Sequence, residues 1–170
     1  MKRSKLFNTI AWAGFLSAAV ALNAAENTPQ QPAPGGLPGI PLELAQEAAR
    51  ASIESCARKD GLIGVSIIDS AGVLKVLLAA DGATPRGVSS STAKAQTALA
   101  FGVDTSYLHE HVETDKALAA RVAGNPAYNS RPGGVLIKAN GQVLGAIGIG
   151  GAKIDEECAL AGLEKIQSRL

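Results

Sequence analysis

The stretch GGVLIKANGQVLGAIGIGG, residues 133–151, decides how the rest of the chain is read. Two apolar runs, 135–138 and 143–149, flank Asn140-Gly141. Both residues of Asn-Gly tolerate the positive φ of a type I′ turn, which makes the pair a strong hairpin signal. Each run consists of β-branched or small residues and is too short for a helix. In the second run glycine recurs at Gly145, Gly148, Gly150 and Gly151. A glycine inside a strand marks a bulge or a close approach by another group. The hairpin is therefore expected to have one crowded face, against another backbone, a packed helix or a ligand.

Working outward, residues 64–68 and 73–80 form a second hairpin about the turn Asp69-Ser70-Ala71-Gly72. Between the hairpins, 81–87 reads as an irregular loop. Residues 89–101 read as a helix capped by Ser89, Ser90 or Ser91, with Ala95, Ala98, Leu99 and Phe101 as its apolar contacts. Thr105 is placed to cap a short helix through Val112, and Thr114 or Asp115 another through Val122; 124–132 is loop. Residues 42–59 form the first helix, with Leu44, Ala45, Ala48, Ala49, Ser52, Ile53 and Cys56 on one face. Residues 155–169 close the chain as a helix turning Cys158, Ala161, Leu163, Ile166 and Leu170 inward. Antiparallel strand pairs separated by helices specify an α+β domain over 42–170: a single antiparallel sheet of four to five strands with flanking helices.

Ahead of this domain, residues 1–25 read as a signal peptide. Lys2, Arg3 and Lys5 precede an uncharged apolar run, 9–22, and Ala24-Ala25 offers small residues for cleavage. The run is shorter than the roughly 20 residues of a membrane span, so no membrane association is expected after cleavage. Residues 26–41 hold five prolines and three glycines and read as a linker. The leader contains three of the 16 basic residues and none of the 15 acidic ones, so the chain without it is net acidic. That argues against a nucleic-acid partner, which requires a basic face.

Few residues carry chemistry. Cys56 and Cys158 are the only cysteines, on the inward faces of the first and last helices. They are either two buried thiols or, as a periplasmic or secreted location favours, a disulfide. His109 and His111 are the only histidines, and a two-residue offset points them apart whether in a helix or an extended segment. Lys94 and Thr97 share a side of the second helix. The glycines before the last helix do not have the spacing of a dinucleotide fingerprint, because Lys153 stands where the final glycine belongs. Asp155, Glu156 and Glu157 already occupy the positive end of that helix. No Ser-His-Asp order, zinc spacing or paired-carboxylate signature is present.

Four segments together resemble the GlcG/HbpS-like family, related to the C-terminal domain of PduO and often described as haem-binding or haem-degrading. They are VSIIDSAGVLKVLLAADGA (65–83), TAKAQTALAFG (92–102), RPGGVLIKANGQVLGAIGIGG (131–151) and DEECALAGL (155–163). The resemblance covers the chain from about Pro41 onward. It implies an antiparallel sheet with flanking helices, a homo-oligomer and a haem or other small-molecule ligand. The resemblance implies that the helix carrying Lys94 lines the ligand cleft; the candidate ligand set is Lys94, Thr97, Thr105, His109, Gly133 and Gly134, with Lys94 attracting a propionate as a point charge and His109, one turn beyond Thr105 in the segment that follows, a candidate ligand to the iron. Tyr107, Tyr128 and His111 are the other side chains of the usual iron-ligand types. The implied role is a haem- or tetrapyrrole-binding protein, acting as sensor accessory, scavenger or buffer. The alternatives are an enzyme acting on haem or a small carboxylic acid, and a structural oligomer without ligand.

Overall fold

A computed structural model describes residues 39–170; the segment read as a signal peptide and nearly all of that read as a linker lie outside the described residues. The elements run α1 (Leu42–Ala57), β1 (Gly64–Asp69), β2 (Leu74–Ala79), α2 (Pro85–Phe101), α3 (Thr105–His111), α4 (Lys116–Ala123), β3 (Gly134–Ala139), β4 (Gln142–Gly150) and α5 (Asp155–Ile166). The strands form one antiparallel sheet in the order β2-β1-β4-β3. This is the expected α+β architecture, with four strands. The hairpin turn lies at Asn140-Gly141, both with positive φ.

Strand alternation sends two sets of side chains to opposite faces. Val65, Ile67, Val76, Val135, Ile137, Ile147 and Ile149 pack with Ala45, Ala48 and Ala49 of α1 and Ala159 of α5. This is the main core, and it is aliphatic. The Cys56–Cys158 disulfide joins α1 to α5 within it. On the other face, Ile68, Leu136 and Ala146 meet Ala95 and Ala98 of α2. Ser66, on that face too, lies 2.8 Å from the hydroxyls of both Ser91 and Thr92.

The crowding expected of the second run comes from α2. A Cβ on Gly148 would lie 2.0 Å from the Ser91 carbonyl oxygen and 2.6 Å from the Ala95 nitrogen. The helix backbone therefore rests directly on β4, and glycine is what permits the contact.

Three sequence expectations are corrected. The segment 81–87 is not wholly irregular, because α2 begins at Pro85. Thr84 caps it by accepting the Gly87 N–H, and Pro85 at the first helical position has its φ already set. Ser89, Ser90 and Ser91 lie inside the helix rather than at its cap. Thr105 does not cap α3 either; Asp104 holds that position, and the Thr105 hydroxyl accepts the Gly134 N–H at 2.8 Å instead. On α5 the buried positions are Asp155, Cys158, Ala159, Gly162 and Ile166; Leu163 and Leu170 are half-buried against the main core as expected, and Ala161 is half-buried. Asp115 caps α4 through the N–H groups of Ala117 and Leu118, as one of the two expected residues.

Candidate functional site

The start of α2, the end of β4, the start of α5 and the loop before β3 meet at one end of the sheet. Between them lies a cleft of about 580 Å³ whose lining includes Arg86, Lys94, His109, Arg131, Lys153 and Asp155. Its floor is an ion pair. Lys94, 3% exposed, donates through Nζ to Asp155 Oδ2 at 2.6 Å, and Asp155 is 7% exposed. The second carboxylate oxygen of Asp155 accepts the Ala152 N–H at 2.8 Å. One carboxylate thus ties the floor of the cleft to the loop forming its wall.

Gly133 is required beside this pair. Its φ is +123°, and a Cβ there would lie 2.7 Å from Asp155 Cβ and 3.0 Å from Lys94 Nζ. Gly134 is as confined, since its Cβ would come within 2.5 Å of the Lys94 carbonyl oxygen. These two glycines let the β3 entry close over the lysine.

The rim is positive. Arg86, Arg131 and Lys153 are exposed and have no ion-pair partner among the described residues. With Lys94 already neutralised by Asp155, these three set the field of the cleft. Side chains of one sign converging on a concave surface concentrate anions there. No periodic signal marks them, because each sits in a loop or at a helix end and they are far apart in the chain.

Lys94 and His109 line the same cleft, His109 exposed, and Gly133 lies against Lys94. His111 is engaged elsewhere: its Nδ1 lies 2.8 Å from the Tyr107 carbonyl oxygen, and its ring stacks on Tyr107 at 4.0 Å between centroids. Thr97 does not line the cleft. Its hydroxyl donates to the Ala93 carbonyl and accepts the Asn129 N–H at 2.8 Å, so it anchors the 126–131 loop to α2. Thr105 is likewise occupied in holding Gly134. Asp155, seen in the sequence only as one of three acids at a helix start, is the residue that completes the floor.

A search of curated proteins returned no match. Among solved structures, HbpS of Streptomyces reticuli, as a variant with two glutamate-to-aspartate substitutions, is 31% identical with a TM-score of 0.68, covering 88% of this chain and 97% of its own. The ORFY protein of Klebsiella pneumoniae, 24% identical, has a TM-score of 0.73 and covers 79% of this chain and 94% of its own. PduOC, solved as a haem complex, is 22% identical with a TM-score of 0.69, covering 75% and 95%. The last two establish a shared fold. Residues 40–164 match the family described as haem-degrading protein HbpS-like. With that match spanning the folded domain, and HbpS itself alike over nearly its whole length, the chain belongs to the HbpS-like family.

Proposed function

We propose that this protein binds haem in the basic cleft and works outside the cytoplasm as a homo-oligomeric binding protein, serving as sensor accessory, scavenger or buffer. The observation that carries the reading is the convergence of Arg86, Arg131 and Lys153, free of ion pairs among the described residues, on a cleft that also presents an imidazole. The donor set fits the group. Guanidinium forks match carboxylates in geometry and charge, so the two arginines and Lys153 would hold the propionates. His109 is the side chain in the cleft with an uncommitted iron-ligand nitrogen, whereas His111 is held by Tyr107. Haem bound there would supply a redox-active iron. Lys94, engaged with Asp155, would keep the floor rigid rather than meet a propionate. Export is supported by the basic and apolar leader. Membership of the HbpS-like family and the haem complex of the PduOC relative favour this ligand over others.

The test is a haem titration followed in the Soret region. His109→Ala should shift the band of the bound form, and His111→Ala should leave it in place. A spectrum unchanged in both single variants and in the double variant would refute the ligand assignment. Absence of any saturable Soret change in the unaltered protein would refute haem binding. Steady loss of the band with a reductant, with release of iron, would make the protein an enzyme rather than a carrier.

A further inference from the structure

A second cleft, about 660 Å³, shares Arg86 and Arg131 with the first. One wall is α2, which presents Ser89, Ala93 and Gln96 along a single stripe at helical spacing. The opposite wall is the 126–131 loop, and it is fastened. The Asn129 N–H donates to Thr97 at 2.8 Å, and the Asn129 side-chain amide donates to Ser90 at 2.9 Å. The Tyr128 ring is set edge-on against Phe101, 5.3 Å between centroids. The cleft is therefore preformed, with a fixed width.

Its chemistry differs from that of the basic cleft. Arg86 and Arg131 are its only charged residues, and no carboxylate lines it. The rest of the polar surface is neutral hydroxyl and amide, with Gln96 exposed along it. Two guanidinium groups in a lining otherwise of neutral hydrogen-bonding groups suit a small anion carrying hydroxyl groups. We propose that this cleft is a ligand site for a small hydroxylated carboxylate. Because Arg86, Ser90 and Arg131 line both clefts, a carboxylate here competes for the same guanidinium groups as an anion in the basic cleft. The two ligands are negatively coupled, each weakening the other by the same factor.

Calorimetric titration of the oxidised protein with L-malate tests this, with succinate as the matched acid lacking the hydroxyl. Malate should bind at one per chain and more tightly than succinate. Gln96→Ala touches only this cleft and should weaken malate by about three- to tenfold, the range of one neutral hydrogen bond. Arg131→Gln should weaken it by more than about tenfold, as expected for a charge-assisted pair. Lys153→Gln, which lines the basic cleft and not this one, should leave malate binding unchanged. Malate should also raise the apparent Kd for haem, and Gln96→Ala should reduce that effect while leaving haem affinity without malate as it was. No saturable malate binding, equal affinity for succinate, or loss of malate binding in Lys153→Gln but not in Gln96→Ala would each overturn the proposal. The malate titration stands without haem, so failure of haem binding and failure of this site are read separately.

Discussion

Breaking the Lys94–Asp155 pair one side at a time should cost more than any surface change in this protein. The two side chains are 4% and 9% exposed, so water cannot take the place of the missing partner. Removing one member of a buried ion pair typically costs about 3–5 kcal/mol, a large part of the roughly 5–15 kcal/mol that stabilises an ordinary domain. The two directions are not equal. In Lys94→Met the Asp155 carboxylate keeps the Ala152 N–H, whereas in Asp155→Asn the ammonium loses its only carboxylate partner among the described residues. Asp155→Asn should therefore fall at or above the middle of that range, and Lys94→Met toward its lower end. The double variant restores much of the loss, because no unpaired charge remains and the asparagine oxygen still accepts from Ala152. Urea unfolding at neutral pH, extrapolated linearly to water, gives the three free energies. The coupling energy should reach about 2 kcal/mol or more. Single variants that lose less than about 1 kcal/mol, or a double variant that is merely additive, would show that the pair does not hold the cleft floor. The same measurement guards the haem experiments, since weaker binding in a Lys94 variant reports a loosened floor before it reports a lost charge.

Gly148→Ala should destabilise the domain by more than about 3 kcal/mol, because the added methyl would lie 2.0 Å from the Ser91 carbonyl and the whole of α2 would have to rise; thermal melting reads it, and a near-native Tm would contradict the packing. Reducing the Cys56–Cys158 disulfide frees a loop with a sequence separation of 102 and should cost roughly 2–5 kcal/mol in denaturant unfolding. Labelling the unreduced, denatured protein should find no free thiol, and two labels per chain would refute the bond. Glu47 receives a hydrogen bond from Arg169 and lies near Lys165, which hold its carboxyl below the usual range. A depressed carboxylate stabilises the fold above its unfolded pKa and loses that contribution as pH falls through the folded value. The acid limb of the pH–stability curve should therefore be slightly shallower in Glu47→Gln, and an unchanged limb would discount the contact.

Much of the fold was legible because its signals are local. Asn140-Gly141 sets a hairpin through backbone preference alone, and the spacing of Leu44, Ala48, Ser52 and Cys56 marks the inner face of α1 without knowledge of its partner. Glycine at Gly148 and Gly150 announced a close contact and could not say with what. The start of α2 was misplaced because three consecutive serines offered caps, while Thr84-Pro85 supplied the better one within a segment that composition marked as loop. The hydroxyls of Thr97 and Thr105 were read toward a ligand, yet each is consumed by a backbone N–H more than 25 residues away.

The sequence by itself determined an α+β domain, the two hairpins, the inner face of α1 and the two residues that form the disulfide. Tertiary structure alone decided the site. Lys94 and Asp155 are 61 positions apart, and Arg86 comes from the first turn of α2, Arg131 from the connection between α4 and β3, and Lys153 from that between β4 and α5. Strand and helix periodicities repeat every two to four residues and say which side a residue faces. Which charges then meet depends on the order β2-β1-β4-β3 and on α2 lying against the glycines of β4, and both are settled only when the whole chain packs.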